Sequence, residues 1–119
     1  MDDVSKASLA VFERHAAAMS SNDPDTIAAD YAEDCVVVTT FSPEPLHGRA
    51  AIAEWLKGFL GQMPSEIGEA AQEPVFKRKE AIGEYVYIVV DLGNGLTATE
   101  TYHIRNDEVL FESATFPSL

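Results

Sequence analysis

One carboxylate stands where the pattern calls for an apolar side chain. In LTATETYHIR, residues 96–105, strand alternation puts Leu96, Ala98, Glu100, Tyr102 and Ile104 on one face. Thr97, Thr99, Thr101, His103 and Arg105 fall on the other. Glu100 is the single charge on the apolar face. A lone carboxylate is costly to bury unless it is paired or protonated. Glu100 is therefore a pocket acid with a raised pKa, one arm of a buried hydrogen-bonded pair, or a rim residue where the sheet opens to water. His15 is the second candidate. It lies one turn from Val11, Phe12 and Met19 on an apolar helical stripe. An imidazole can donate a hydrogen bond or carry a proton at physiological pH. Together the two residues could transfer protons. Alternatively, His15 is a partly buried histidine satisfied by a backbone carbonyl.

Other chemistries find less support. Cys35 is the one cysteine and has Asp34 beside it, which disfavours a thiolate nucleophile. His15, His47 and His103 lie on separate elements without metal-ligand spacing, so no metal is expected. There is no phosphate-binding glycine loop, nucleophile elbow or Cys-x-x-Cys pair, and no cofactor is expected. Arg49, in the HGR of residues 47–49, reads as a helix entry able to pair with a nearby acid.

The elements that must position these residues follow from periodicity. Residues 3–21 form a first helix with Leu9, Phe12, Ala16 and Met19 on one stripe, and Asp2 and Asp3 at its N-terminus. Asp23-Pro24 starts a second, short helix with Ile27 and Tyr31 on one face. Residues 35–41 are a first strand. A third helix runs from Arg49 to about Leu60, with Ile52, Trp55, Leu56 and Phe59 in phase and Gly61 and Pro64 ending it. Residues 65–72 show no clear period. Strands follow at 74–79, at EYVYIVVDL, at LTATETYHIR and at EVLFESATF, with Asn94-Gly95 and Asn106-Asp107 as turns. Helices early and a meander late indicate an α+β domain, a single one over residues 1–119, with helices covering one face of a bent antiparallel sheet.

The 119 residues carry a formal charge of −12. A surface this acidic argues against nucleic-acid, anionic-membrane and anionic-substrate partners. The acidic N-terminus lacks the basic start of an export signal, and one cysteine permits no internal disulfide. A cytoplasmic protein is expected.

Four blocks carry a resemblance: VFERHAAAMSSNDPDTIAADYAEDCVVVT, LHGRAAIAEWLKGFL, EYVYIVV and TETYHIRNDEVL. In this order they resemble the NTF2-like superfamily, and within it the SnoaL-like, ketosteroid-isomerase-like group of small bacterial proteins. The resemblance implies a cone-shaped, cystatin-like fold: three N-terminal helices on a curved antiparallel sheet, a pocket between them, and a homodimer. It implies no single activity, because the fold hosts isomerases, cyclases, dehydratases and proteins without chemistry. The position of the isomerase's proton-shuttling aspartate falls on Thr39, whose hydroxyl is no base near neutral pH. Steroid isomerisation by that route is therefore not expected. The oxyanion-binding tyrosine falls on His15, the second acid on Glu100, and a pocket aromatic on Trp55.

The resulting expectation is a pocket for a small apolar molecule. Glu100 and His15 are its candidate catalytic pair. Thr39, Trp55, Tyr31, Phe59, Tyr85, Tyr87 and Tyr102 are its candidate ligand-binding residues. The alternative is a non-catalytic binding or dimerisation module, which the threonine at position 39 favours. The threonine-bearing face of residues 97–105 is either a dimer surface or a solvated sheet face.

Overall fold

A computed structural model describes residues 1–118. Helix α1 (Asp3–Met19) begins where the Asp2 carboxylate accepts a hydrogen bond from the Ser5 amide at 2.7 Å. Helix α2 (Pro24–Ala28) begins in the same way, with Asp23 accepting from Thr26 and proline in the first turn. Strand β1 (Tyr31–Thr39), the two-residue strand β2 (Leu46–His47), α3 (Arg49–Phe59) and α4 (Ser65–Gln72) follow. Strands β3 (Val75–Ile82), β4 (Tyr85–Gly93), β5 (Leu96–Arg105) and β6 (Glu108–Thr115) complete the domain. The result is an α+β fold with a curved, unclosed sheet of six strands in the order β2-β1-β6-β5-β4-β3.

Three local features differ from the periodicity reading. Tyr31 opens strand β1 instead of extending α2. The Asp30 carbonyl accepts from the Val109 amide at 2.9 Å, and the Tyr31 carbonyl accepts from Arg49 at 2.8 Å, so the helix stops before both. Residues 65–72 form a helix, α4, which buries Ile67 alone. Two turns with one buried contact leave no stripe to detect. Finally, β1 pairs with β6 in parallel, whereas β3, β4, β5 and β6 form the expected antiparallel meander. Parallel neighbours require a long crossover, supplied here by the intervening chain with its helices.

The core lies between the helices and one face of the sheet. Val11, Phe12, Ile27, Ile52 and Leu56 pack against Val86, Ile88, Tyr102, Ile104 and Val109. Two buried serines fix α1 to the β3–β4 turn: Ser8 donates to the Gly83 carbonyl and the Gly83 amide donates to Ser5 Oγ, both at 2.8 Å. These bonds satisfy polar groups that would otherwise be costly on an apolar face.

Two β-bulges set which side chains face the core. At the Asn94-Gly95 turn, Gly93 pairs with Leu96; one step on, Asp91 pairs with Thr97, so Leu92 is an extra residue on β4. Gly93 has φ +83°, and its amide donates to the Asp91 carboxylate at 2.8 Å. In the next hairpin Val109 pairs with Ile104 but Phe111 pairs with His103, leaving Leu110 extra on β6. A one-residue slip turns every subsequent side chain to the opposite face, and each bulge does this once.

Candidate active site

A cavity of about 140 Å³ lies between the helices and the inner face of the sheet. Part of its wall is aromatic. Trp55 stacks on Phe59 with ring centres 4.5 Å apart, and Phe41 lies 4.9 Å from Phe59 and 4.8 Å from Phe116. The remainder of the lining includes a connected polar group: Glu100, Tyr102, Glu112, Tyr31 and His15. Both parts are needed for a site that holds an apolar molecule and orients it by a few polar contacts.

The polar group consists of two hydrogen-bonded sets side by side. Tyr102 donates to Glu100 at 2.8 Å, and Tyr31 donates to Glu112 in a short contact. The Tyr31 hydroxyl is also 3.2 Å from His15 Nε2. His15 Nδ1 lies 3.3 Å from Asp30, which Arg14 grips from the other side at 2.6 Å. Arg14 reaches onward to Asp107 at 3.0 Å. Among the described residues, no buried side-chain nitrogen or oxygen lacks a partner. The buried charge is therefore accommodated by a network.

Burial governs the acidities. It pushes the Glu100 carboxyl up from 4.5 to about 7, helped by the nearby charge of Glu112 and opposed by the Tyr102 hydrogen bond and by His15. Glu112 is also raised by burial, against the pull of His15 and its tyrosine hydrogen bonds. Burial beside these acids holds the Tyr31 and Tyr102 hydroxyls well above 10, so both stay protonated. Asp30 behaves oppositely: burial would raise it, but hydrogen bonds from His15 and Arg14 outweigh burial and hold it below 3.8. Asp30 is thus a fixed anion, whereas Glu100, at about 7, can gain or lose a proton near neutral pH, and burial disfavours the ionised form of Glu112.

Of the residues singled out in the sequence, Glu100, His15, Thr39, Trp55, Tyr31, Phe59 and Tyr102 line the cavity. Glu100 bonds Tyr102, and His15 meets Tyr31 beside Glu112; the two candidates share the cavity but not a direct bond. Thr39 Oγ1 accepts from the Phe41 amide at 3.3 Å, a local turn contact. Tyr85 and Tyr87 require correction. They lie on the outer sheet face, where Tyr85 stacks on His103 at 4.7 Å and Arg78 sits over Tyr87 at 5.0 Å. The Leu92 bulge is the reason. An uninterrupted Asn94-Gly95 hairpin would set Tyr85 against Ile104 and Tyr87 against Tyr102, facing inward. The bulge sets them against His103 and Thr101 instead.

Two polar site residues, and the wall rings of Phe41 and Phe116, were missed by sequence reasoning. Glu112 would face outward opposite Thr101 in a regular Asn106-Asp107 hairpin; the Leu110 bulge turns it inward, opposite Tyr102. Asp30 sits at the α2–β1 junction, where no period assigns a direction. Among the described residues, no group of three or more His, Cys, Asp or Glu is placed to hold a metal ion. Cys35 is buried, and burial raises its thiol to about 11, which leaves no thiolate for nucleophilic attack.

The fold agrees with the sequence relationships. The SnoaL-like domain model matches residues 12–109, and the chain belongs to that family. No curated protein matches the sequence. Among solved structures, the chain is similar to a candidate ketosteroid isomerase from Kribbella flavida, at 16% identity over 97% of this chain and 81% of that one, with a TM-score of 0.70. An NTF2-like protein of unknown function from Mesorhizobium loti is similar at 15% identity over 99% and 97%, with a TM-score of 0.70. An LEH-like epoxide hydrolase from M. tuberculosis is similar at 14% identity over 95% and 84%, with a TM-score of 0.65. At these identities the likeness establishes an NTF2-like fold alone.

Proposed function

We propose that this protein is a cofactor-free acid–base enzyme of isomerase, cyclase or dehydratase type, acting on a small, neutral, largely apolar molecule held in the cavity. The observation that carries this reading is the pair of buried carboxylates, Glu100 and Glu112, set into an aromatic-lined chamber, each accepting a hydrogen bond from its own tyrosine hydroxyl. Like charges in such a site disfavour simultaneous ionisation, so one member holds a proton while the other is free to accept one. The ionised carboxylate takes a proton from carbon next to a carbonyl. The protonated one donates a hydrogen bond to the carbonyl oxygen, where negative charge develops. Return of the proton to a different carbon gives isomerisation; its delivery to a leaving hydroxyl gives loss of water. Glu100, at about 7, is suited to either role near neutral pH. This assignment departs from the isomerase-like base position, because Thr39 occupies it.

The test is turnover of a panel of small cyclic ketones and β-hydroxy ketones by wild type, Glu100→Gln and Glu112→Gln. Each substitution should lower kcat by about 10²–10⁴ with ligand affinity retained. Turnover that survives both substitutions would refute the assignment. The second reading, a non-catalytic ligand-binding or dimerisation module, is favoured by the commitment of the Thr39 hydroxyl to a local turn. It predicts binding in the same panel with no product from any member.

The same proposal includes self-association through the outer sheet face, and an intracellular location consistent with a buried, unpaired Cys35. Across that face, register aligns Val36, Phe111, His103, Tyr85 and Ile82 in one row. Among the described residues, no helix is long and apolar enough to cross a membrane.

A further inference from the structure

We propose that Tyr31 relays a proton between Glu112 and His15, so that Glu112, Tyr31, His15 and Asp30 hold one shared proton behind the cavity. The relay deepens the acid–base reading above, but its existence can be tested without any substrate. It follows from counting hydrogens along the buried chain. Arg14 at 2.6 Å keeps Asp30 ionised, and an ionised carboxylate only accepts. His15 Nδ1 must therefore carry a hydrogen to bond Asp30. This fixes one imidazole nitrogen and leaves Nε2 facing the Tyr31 hydroxyl. Tyr31 has one hydrogen and two partners, His15 Nε2 and Glu112.

Two arrangements satisfy every contact. In the first, Glu112 is ionised and accepts from Tyr31, while Tyr31 oxygen accepts from the Nε2 hydrogen of a cationic His15. In the second, Glu112 is protonated and donates to Tyr31 oxygen, while Tyr31 donates to the bare Nε2 of a neutral His15. Passage from the first to the second moves two hydrogens. The Tyr31 hydrogen goes to Glu112, and the Nε2 hydrogen goes to Tyr31. Tyr31 begins and ends neutral, Asp30 stays anionic, and the total charge is unchanged. With one proton more, Glu112 is a neutral carboxyl beside a cationic His15, and the Tyr31 hydrogen is left with the weaker acceptor oxygen of that neutral carboxyl. With one fewer, Nε2 and the tyrosine oxygen face each other without a hydrogen between them. The first alternative weakens a buried hydrogen bond and the second leaves a buried nitrogen unsatisfied, so the single shared proton is favoured between them.

The surroundings support a closed relay. His15 is 2% exposed and Tyr31 5%, and Glu112 is 7% exposed. The other ionisable groups acting on the relay are Glu100 and Tyr102 from β5, Cys35 from β1, and Arg14 from α1. None of these stands between Tyr31 and its two partners. The consequence for chemistry is that Glu112 is an ionised base toward a molecule in the cavity when the shared proton rests on His15, and a protonated acid toward it when the proton rests on Glu112. Tyr31, His15 and Asp30 are then positioning and storage groups, while the carboxylates touch the reacting molecule.

The experiment is a pH titration of the intact protein by NMR, with the carboxyl carbons of glutamate and the ring nitrogens of histidine labelled, in wild type and in Tyr31→Phe. In wild type the Glu112 carbon and His15 Nε2 should change at common midpoints, with Nε2 between its protonated and bare limits on the intervening plateau. In Tyr31→Phe the two should titrate separately, with midpoints about one pH unit or more apart. Glu112→Gln supplies a second check: the plateau on which Nε2 lies between its protonated and bare limits should then be absent. Separate midpoints in the wild type would overturn the relay, whether or not the variants fold. Common midpoints without any turnover would leave the relay intact and refute only the enzyme reading.

Discussion

Glu100 and Tyr102 are neighbours on one face of β5, and the 2.8 Å bond between them limits how far burial can raise the acid. Tyr102→Phe removes that bond and leaves the ring packed on Phe12, 5.3 Å away. The Glu100 carboxyl should then titrate above its present value of about 7, and any activity profile that depends on it should shift in the alkaline direction. The accompanying loss of stability should be about 1 kcal/mol. A downward shift in the Glu100 carboxyl titration would show that the tyrosine stabilises the protonated form instead. Asp30 offers the complementary test. Its anion is anchored by Arg14 and gives His15 its orientation. Asp30→Asn removes the charge that Arg14 and His15 share; Arg14 is half-exposed and keeps Asp107, so the cost in urea unfolding should be about 1–2 kcal/mol. An effect within ~0.5 kcal/mol would mean that the network is far weaker than its distances imply.

At the scale of elements, the site depends on two bulges. The Leu92 bulge keeps Tyr85 and Tyr87 outside, and the Leu110 bulge brings Glu112 in. Gly93 adopts φ +83° to make the first possible. Gly93→Ala should destabilise the fold by about 1 kcal/mol or more, read as a lower urea midpoint. An unchanged midpoint would indicate that the bulge tolerates a side chain. The same bulges explain what could be read from the sequence. Strand existence, the Asn94-Gly95 and Asn106-Asp107 turns, and the inward aim of Glu100 followed from local residue types and alternation. The aim of Glu112 did not, because the inserted Leu110 reverses the phase within β6, whereas in β4 the alternation of Val86, Ile88, Val90 and Leu92 against Asp91 already points Tyr85 and Tyr87 outward. Helix α4 was hidden for a different reason, since a single buried Ile67 makes no pattern. Asp30 and Tyr31 lie where a helix gives way to a strand, and tertiary hydrogen bonds set the boundary there.

For the whole molecule, acidity and cavity together predict stability on the acid side of neutrality. Glu100 has a folded pKa raised from 4.5 to about 7, so its contribution is fully present below about 4.5 and is lost as pH rises through 7. That loss is on the order of 3 kcal/mol for an isolated group. Asp30 is held below 3.8, so its contribution is present above that value and disappears as pH falls through its lower folded pKa. Self-repulsion from the net charge of −12 adds to the loss near neutrality. The urea midpoint should therefore peak between about pH 4 and 5, and Glu100→Gln should flatten the decline toward neutral pH. A wild-type curve that rises steadily to pH 8 would contradict this prediction. The outer face bears on assembly. Ile82, Tyr85 and Phe111 are 73%, 55% and 37% exposed in the single chain, in one row across the strands. Light scattering at tens of micromolar should give a dimer, and Phe111→Glu should give a monomer. A wild-type monomer at that concentration would remove the assembly proposal and leave the cavity chemistry untouched.

The central claim is that the cavity holds two carboxyls that are not both ionised at neutral pH. Its most direct test is the carbonyl-stretch infrared spectrum of the folded protein at pH 7, compared among wild type, Glu100→Gln and Glu112→Gln. The account predicts a protonated-carboxyl band in the wild type that changes or disappears in at least one variant. A wild-type spectrum with only ionised carboxylate bands at pH 7 would contradict it.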